Sequence, residues 1–267
     1  VSNFITLGGG SEEPNDYEAL ISKYPTDEPE VELDEEDLLY LCYTSGTTGL
    51  PKGSMFTHKD IIAGTTENII TFGTTHDDIV LLIFPPFHAA LPMRALENIR
   101  LGATIFVIES LDPKLILQTI EKERITVIDT ATFFITSLLE VPEVNKYDVS
   151  SLRWIGCAGA PLAPATLRRA IEVFGNKFIH YYATTELTTL SILLMPNDIF
   201  LEGPENKVRR LSSCGRESID TEVKVIDEDG NEVIPGEVGE LIIKTESKIK
   251  GYWKLPQATA EAIKVRF

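Results

Sequence analysis

The sequence predicts an α/β fold in which a mostly parallel sheet is flanked by helices and followed by a small β-rich subdomain. Short apolar runs alternate with amphipathic stretches over residues 78–182, the pattern of repeated strand–helix units with parallel strands. The chain has 267 residues, of which 43% are hydrophobic, so it can bury a sizeable core. Beyond Thr188 helical periodicity gives way to β-rich segments with hairpin signals.

From residue 38 onward the predicted elements alternate. Strands are predicted at 38–42, 78–84, 103–108, 125–129, 152–158 and 177–182. Helices are predicted at 58–72, 113–123, 131–139 and 164–174, and a further helix follows residues 85–92 and ends at about residue 101. The first of these helices is expected to begin at Thr57, directly after a Gly-rich loop, so that its dipole would favour an anion bound there.

Three regions are predicted along the chain. Residues 1–37 are polar and interrupted, which indicates a surface segment with one short helix at 16–22. Residues 38–204 form the α/β core. Residues 205–267 form the β-rich part, with strands at 221–226 and 240–244 and a last helix from about residue 256.

Composition excludes several classes of function. The formal net charge of -17 argues against a nucleic-acid-binding surface, which requires clustered Lys and Arg. No apolar run is long enough to span a bilayer, so no integral membrane segment is expected. Cys42, Cys157 and Cys214 are far apart and form no CxxC pair, which indicates reduced thiols in a cytoplasmic protein.

The loop at residues 44–53 is the most informative segment. It holds four hydroxyl side chains, three glycines and Lys52 within ten positions. Glycines let backbone N–H groups converge on one anion, and lysine adds a mobile charge suited to phosphate. It is not a Walker A loop, because Leu50 and Pro51 separate Gly49 from Lys52. The residues themselves predict polyphosphate binding, with a plain polar turn as the alternative.

Two further segments follow predicted strands and fit the same cleft. Residues 181–186, Tyr-Tyr-Ala-Thr-Thr-Glu, end in hydroxyls and one carboxylate, and one carboxylate suffices for a Mg²⁺ that arrives with nucleotide phosphates. Residues 156–162 form a turn of small residues on which a flat ring could stack, although close helix–strand packing explains that turn equally well. Because ligands gather at the carboxyl ends of parallel strands, these segments predict one shared site.

All of these segments, in this order, resemble the motifs of the adenylate-forming enzymes: acyl-CoA synthetases, adenylation domains of peptide synthetases, and luciferases. The resemblance implies that the phosphates of ATP are bound by Thr44, Ser45, Gly46, Thr47, Thr48, Gly49 and Lys52. It places the adenine and α-phosphate beside Gly159, Ala160, Pro161, Tyr182, Ala183, Thr184 and Thr185, and magnesium on Glu186. Lys52, Thr185 and Glu186 would be catalytic. Ala183 departs from the family pattern, which has glycine there.

The resemblance also implies where the acid lies. The segment Pro-Pro-Phe-His at residues 85–88 is similar to a family segment near the acyl site, so His88 and Ala89 are predicted to contact substrate. Tyr181, in the segment at residues 181–186, is also assigned to substrate. Ala90, Leu91 and Met93 would line an apolar acyl pocket, with an ordinary apolar helix as the alternative. Gly215 resembles a glycine that opens the family's β-rich subdomain and is expected to be structural.

The resemblance implies an AMP-forming ligase that activates a carboxylic acid, expected to be a fatty acid, with ATP and Mg²⁺ and then transfers it to the co-substrate CoA. An adenylation domain loading a carrier protein is the first alternative, and a nucleotide-binding module without catalysis is the second. The resemblance covers residues 38–262 and then stops before the ribose motif, the hinge and the C-terminal domain. The chain alone is therefore expected to be an incomplete enzyme; whether it forms a homodimer is left open.

Overall fold

The computed structural model describes residues 5–7, 16–44, 49–108 and 110–264. The chain divides into two compact units, Val1–Asp34 and Glu35–Phe267. In the first unit, helix α1 (Tyr17–Ile21) begins after Asp16, whose carboxylate accepts hydrogen bonds from two backbone N–H groups of the first turn at 3.0 and 3.3 Å. This is the short helix predicted at residues 16–22.

The second unit contains the remaining elements. Its strands are β1 (Leu38–Tyr43), β2 (Gly53–Thr57), β3 (Ile79–Leu82), β4 (Thr104–Val107), β5 (Val127–Ala131), β6 (Trp154–Ala158), β7 (Phe178–Tyr182), β8 (Ile192–Leu194), β9 (Arg216–Glu217), β10 (Glu222–Ile226), β11 (Glu240–Lys244) and β12 (Gly251–Tyr252). Its helices are α2 (His58–Phe72), α3 (Ala90–Leu101), α4 (Pro113–Glu123), α5 (Thr132–Leu139), α6 (Pro164–Phe174), α7 (Glu205–Val208) and α8 (Pro256–Ala262).

The central sheet has seven strands in the order β4-β3-β5-β6-β7-β8-β9. The first five strands are parallel, and β8 and β9 add antiparallel pairings at one edge. Helices α4, α5 and α6 alternate with these parallel strands along the chain, as crossover connections between parallel strands require. The predicted α/β class with a mostly parallel sheet is confirmed.

Alternate residues of the strands point to opposite faces of this sheet, so each face has its own core. On one face Leu81 and Ile128 belong to a large cluster with residues of α4, α5 and α6. On the other face Val80 and Val127 pack with Phe72 at the end of α2. The sheet is therefore the middle layer of three.

A second, antiparallel sheet of order β1-β2-β12 corrects one expectation. Strands β1 and β2 pair with Tyr43 opposite Gly53, so the predicted phosphate loop connects two strands of a hairpin. Helix α2 begins only after β2, where Thr57 and Asp60 form a capping box. The N-terminus of α2 is thus separated from the loop by a five-residue strand, and its dipole does not act on the loop directly.

The β-rich segment is present as the antiparallel pair β10–β11, in which Glu222 lies opposite Lys244. Upstream of it, Gly215 adopts a φ of +108°, and a Cβ there would lie 1.9 Å from the Leu193 carbonyl group. Glycine is therefore required at this position by backbone conformation and by space. The proposed boundary at residue 205 stays a prediction; β9 and β12, beyond it, pair with strands that precede it.

The three cysteines are free thiols, as expected. Cys42 and Cys157 are buried, and burial raises the pKa of Cys157 to about 12. Cys214 is exposed. Among the described helices, none combines the length and apolarity that crossing a bilayer requires.

Candidate active site

The carboxyl edge of the parallel strands is where the predicted segments meet. Strand β3 lies between β4 and β5, so the chain order reverses direction at β3–β5, the position at which doubly wound sheets open a crevice. Residues 85–92 follow β3, residues 158–162 extend from the end of β6, and residues 182–186 extend from the end of β7. The structure thus brings three of the four predicted segments to one edge of one sheet.

The turn after β6 is held in a defined shape. Gly159 has a φ of +85°, a conformation that side-chain-bearing residues rarely adopt. The carbonyl of the next residue, Ala160, accepts a hydrogen bond from Thr132 Oγ1 at 2.8 Å and lies 3.1 Å from His180 Nε2. Ala160 and Pro161 are exposed to solvent. The turn therefore offers an open backbone surface of fixed shape, as a binding site for a flat ring requires.

The predicted phosphate loop is closed at its base by Thr44 and Lys52. The Thr44 N–H donates to the Lys52 carbonyl at 2.9 Å, and the Lys52 N–H donates to Thr44 Oγ1 at 3.2 Å. Gly49 is exposed, and a Cβ there would meet nothing within 4 Å. The predicted phosphate ligands Ser45, Gly46, Thr47 and Thr48 lie outside the described residues.

The loop reaches the carboxyl edge through Tyr252, a residue to which the sequence analysis gave no role. Its hydroxyl donates to Glu186 Oε1 at 2.5 Å, and Lys52 Nζ lies 4.6 Å from the centre of its ring. A backbone hydrogen bond also connects the segment before β12 to Glu186, because the Ile249 N–H donates to the Glu186 carbonyl at 2.9 Å. Thus the lysine of one predicted motif and the glutamate of another contact the same side chain.

Residues 182–185, which lie between Tyr181 and Glu186 in the second predicted segment, are accessible from solvent. Tyr182 is 39% exposed, Ala183 is exposed, and Thr184 and Thr185 are half-buried. The Thr184 carbonyl accepts from the N–H of Leu187 at 3.2 Å, which closes a turn around Thr185 and Glu186. This turn presents two hydroxyl groups and one carboxylate at the end of β7.

His88 and Ala89 lie at the start of α3. The His88 ring stacks on Phe84 with centroids 5.5 Å apart, and its Nδ1 accepts from the Ala90 N–H at 3.2 Å. His88 is exposed, and because Nδ1 accepts a hydrogen bond, the neutral ring bears its proton on Nε2. Histidine here caps the helix and directs one N–H towards solvent.

An apolar cavity of about 580 Å³ adjoins this segment. Its lining consists of β1 and one side of the segment from β3 into α3: Leu39, Tyr40, Leu41, Cys42, Tyr43, Pro86, Phe87, Pro92, Ala95 and Leu96. Leu91 packs in the same hydrophobic cluster as the lining residue Ala95, and Met93 packs in the same cluster as Leu96. A role for Ala90, Leu91 and Met93 in lining an acyl pocket stays a prediction.

Tyr181 is not brought to the edge with the others. Its side chain is 5% exposed, and its hydroxyl donates to Asp129 Oδ1 at 2.5 Å inside the protein. Asp129 also pairs with Arg94 Nε at 2.9 Å, and Arg94 Nη1 donates to Glu97 at 2.6 Å. These four side chains form a buried ionic cluster between α3, β5 and β7. The role predicted for Tyr181 in contacting substrate stays a prediction.

The chain is similar to proteins of one family along most of its length. A family model described as "AMP-binding enzyme" matches residues 5–253. The chain belongs to the AMP-binding enzyme family. Among relatives of this family member, a feruloyl-CoA synthase from Amycolatopsis sp is 32% identical over 237 residues, which is 88% of this chain and 46% of the relative. A long-chain-fatty-acid–CoA ligase from Salmonella typhimurium is 32% identical over 238 residues, 87% of this chain and 41% of the relative.

Solved structures include the same architecture. The inhibitor-bound N-terminal domain of FACL13 from Mycobacterium tuberculosis superposes with a TM-score of 0.80 at 29% identity. That similarity covers 92% of this chain and 59% of the other. This AMP-binding family member spans less than half the length of the two relatives named above.

Proposed function

We propose that the protein containing this chain is an AMP-forming acid–thiol ligase. It would join a carboxylic acid to the α-phosphate of ATP, release pyrophosphate, and then transfer the acyl group from AMP to the thiol of CoA. The main supporting observation is that Lys52 and Glu186, from two separate motifs, both contact Tyr252 beside the carboxyl edge of the sheet.

In this proposal the hairpin loop binds the outer phosphates of ATP. Thr44, residues 45–48 and Gly49 supply backbone N–H and hydroxyl groups, and Lys52 supplies a cation within reach. The adenine would stack on the exposed turn formed by Gly159, Ala160 and Pro161. Tyr182 and Ala183 would lie against the nucleotide, and Thr184 and Thr185 would donate to the α-phosphate.

The residues present fit magnesium. Glu186 uses Oε1 to accept from Tyr252, which leaves Oε2 for a cation. No group of three or more His, Cys, Asp or Glu side chains in the described part of the chain could hold a metal by itself. A single carboxylate together with nucleotide phosphates and water is the coordination that Mg²⁺ commonly uses with nucleotides. When bound, the ion would neutralise negative charge on the phosphates.

Catalysis would then be electrostatic and positional. The attacking group is the carboxylate of the substrate, so no protein side chain has to form a covalent bond. Lys52 would stabilise the charge that develops on pyrophosphate as it leaves, and Glu186 would hold the metal in place for the same purpose. The chain's part is to orient the acid and the α-phosphate in line.

The acid would be one with an apolar body. The 580 Å³ cavity beside Phe87 has the size and apolar lining that a fatty or aryl acid requires. His88, at the adjoining start of α3, can direct its Nε2–H towards a carboxylate, with Ala89 next to it. The named relatives act on feruloyl and long-chain fatty acyl groups, which also have apolar bodies. A homodimer and a cytoplasmic location stay predictions.

The test is carboxylate-dependent ATP–pyrophosphate exchange by the whole protein that contains this chain, with short, medium, long-chain and aryl acids. Exchange that depends on one class of acid supports adenylation and names the substrate class. Transfer of that acyl group to CoA, rather than to a carrier protein, distinguishes a CoA ligase from a carrier-loading domain. Nucleotide binding without exchange by any acid would contradict the ligase and favour a module that only binds.

Replacing Lys52 by alanine is expected to lower exchange by about 100-fold or more, the usual effect of removing one preorganised charge-stabilising group. Lys114→Ala is the matched control, because Lys114 is an exposed lysine on α4, far along the chain from the loop. Its exchange rate should stay within twofold of the unmodified protein. Equal rates in Lys52→Ala and Lys114→Ala would remove Lys52 from the mechanism.

A further inference from the structure

Tyr252 is held in place by both side-chain packing and backbone hydrogen bonds. Its side chain is 4% exposed and packs with Cys42, Phe56 and Met93. Its N–H donates to Thr259 Oγ1 at 2.9 Å, and the N–H of the next residue donates to the Gly53 carbonyl at 2.8 Å. Because β12 is paired to β2 on one side, the ring has little freedom to move.

The two contacts of this ring involve opposite charges. The Lys52 ammonium lies 4.6 Å from the ring centre, within the range of a cation–π contact. The hydroxyl at the end of the same ring donates to the Glu186 carboxylate at 2.5 Å.

Each contact leaves the charged group free for other partners. A cation–π contact uses the ring face and none of the three N–H groups of Lys52, which stay available for phosphate. The phenol occupies only Oε1 of Glu186, and Oε2 remains for a cation. A direct Lys52–Glu186 ion pair would instead neutralise both groups. Among the described residues no ion pair joins Lys52 to Glu186, and the side chains of both contact Tyr252.

We propose that Tyr252 is a positioning residue that keeps Lys52 and Glu186 apart and orients each towards the nucleotide. The ring holds the ammonium beside the phosphate loop, and the hydroxyl fixes the carboxylate in the orientation that a cation requires. Partners that orient a metal ligand in this way commonly change metal affinity 10–100-fold when removed. This proposal rests on the proposed function, because it takes the ligand to be a nucleotide with its metal ion.

The first test needs no nucleotide. The acetylation rate of Lys52 by an N-hydroxysuccinimide ester is measured by mass spectrometry and normalised to the exposed Lys114. In Tyr252→Leu the ammonium is expected to pair with Glu186, which stabilises its protonated form and lowers the rate at least threefold. Adding Glu186→Gln should restore the rate in Tyr252→Leu, yet change it less than twofold when Tyr252 is intact. A Lys52 rate in Tyr252→Leu that does not respond to Glu186→Gln would overturn the proposal.

The second test separates the hydroxyl from the ring. Tyr252→Phe keeps the ring, so Lys52 acetylation should stay within twofold of the unmodified protein. Mn²⁺ affinity in the presence of ATP, measured by electron paramagnetic resonance, should fall about tenfold, while metal-free ATP affinity stays within twofold. Unchanged Mn²⁺ affinity in Tyr252→Phe would overturn the proposed role of the hydroxyl.

A control variant and a measurement of ATP binding separate failure of this proposal from failure of the proposed function. Tyr147→Phe is the matched variant: Tyr147 is a half-buried tyrosine that packs against the large hydrophobic cluster and lines no part of the proposed site. It should leave both readouts unchanged. If the unmodified chain binds no ATP, the proposed function fails for this chain, whereas the acetylation series still decides whether Tyr252 separates Lys52 from Glu186.

Discussion

Arg94→Leu is expected to lower the free energy of unfolding by about 3–5 kcal/mol, the largest effect on stability expected from a single substitution here. Arg94 is 2% exposed and pairs with Glu97 at 2.6 Å and with Asp129 at 2.9 Å. Its guanidinium also lies about 5 Å from the ring centres of Phe72 and Trp154. Leucine would leave two buried carboxylates without their cation.

The loss of stability in Arg94→Leu should also depend on pH. Burial raises the pKa of Glu97 above its ordinary value of 4.5, and Arg94 only partly offsets that. The folded state therefore keeps a proton that the unfolded state releases, so the free energy of unfolding falls as pH rises above 4.5 towards the folded pKa. Without Arg94 the pKa of Glu97 should rise further. The difference between Arg94→Leu and the unmodified protein should consequently be larger at pH 8 than at pH 5.

Urea unfolding followed by circular dichroism at both pH values measures this. Arg100→Leu, at the exposed end of the same helix, is the control and should cost no more than about 1 kcal/mol. Combining Arg94→Leu with Glu97→Leu should recover part of the loss, since one uncompensated carboxylate is removed. A single Arg94→Leu variant as stable as Arg100→Leu would contradict the ionic cluster.

Asp78→Ala is the second substitution with a large expected cost, about 3–4 kcal/mol from several charge-assisted hydrogen bonds that do not add fully. Asp78 is 2% exposed and precedes β3. It accepts from the Thr75 N–H at 2.8 Å, from Thr126 Oγ1 at 2.7 Å, and from Arg153 through Nε at 2.8 Å and Nη2 at 2.6 Å. One carboxylate thus connects the amino ends of β3, β5 and β6.

For Asp78, the dependence of stability on pH has the opposite sign to that expected for Glu97. Burial raises the pKa of Asp78, but hydrogen bonds from Arg153, Thr75 and Thr126 outweigh it, so the net pKa lies below 3.8. The contribution of Asp78 to stability is present above pH 3.8 and is lost as pH falls through its folded pKa. Asp78→Ala should therefore differ most from the unmodified protein near neutral pH and least in strong acid.

Asp77→Ala is the control, because Asp77 is the neighbouring residue and its side chain is 83% exposed. Thermal unfolding at pH 7 should show little change for Asp77→Ala and a clear fall in Tm for Asp78→Ala. Equal effects of the two substitutions would show that the amino-edge hydrogen bonds do not stabilise the sheet.

Most of the central sheet could be predicted from the sequence because local signals and burial agreed there. Helices α4 and α6 begin at Pro113 and Pro164, and α3 ends before Gly102 in the left-handed conformation. Each of these residues has one strong conformational preference at a helix end. The parallel strands are mostly apolar, as is typical of strands covered on both faces, with Asp129 on β5 and His180 on β7 among the buried polar exceptions.

The hairpin of β1 and β2 could not be predicted in the same way. Strand β2 starts Gly-Ser, two residues with weak strand preference, and it is stabilised by pairing on both sides. One of its partners, β12, is two residues long and lies near the other end of the sequence. Pairing between such distant segments leaves no local pattern. The same holds for Tyr252, whose two charged contacts arise from tertiary packing.

The buried cluster around Arg94 was missed for a related reason. A charged residue inside an otherwise amphipathic helix resembles its solvent-facing neighbours, and only the presence of Asp129 and Tyr181 on other strands makes its burial tolerable. Sequence reasoning assigned Tyr181, the first residue of the segment at residues 181–186, to substrate. Strand alternation instead turns Tyr181 inward while Tyr182 faces solvent.

The three-stranded sheet also sets an order of events during synthesis. The hairpin that holds the proposed phosphate loop emerges from the ribosome early, but a two-stranded hairpin by itself is at best marginally stable in water. Its third strand, β12, is translated on the order of ten seconds or more later, at ordinary rates of elongation. Until Tyr252 arrives, Lys52 and Glu186 are free to pair with each other. A nascent chain should therefore gain nucleotide affinity abruptly and late, when the segment around β12 has left the ribosome, rather than gradually as the parallel strands form.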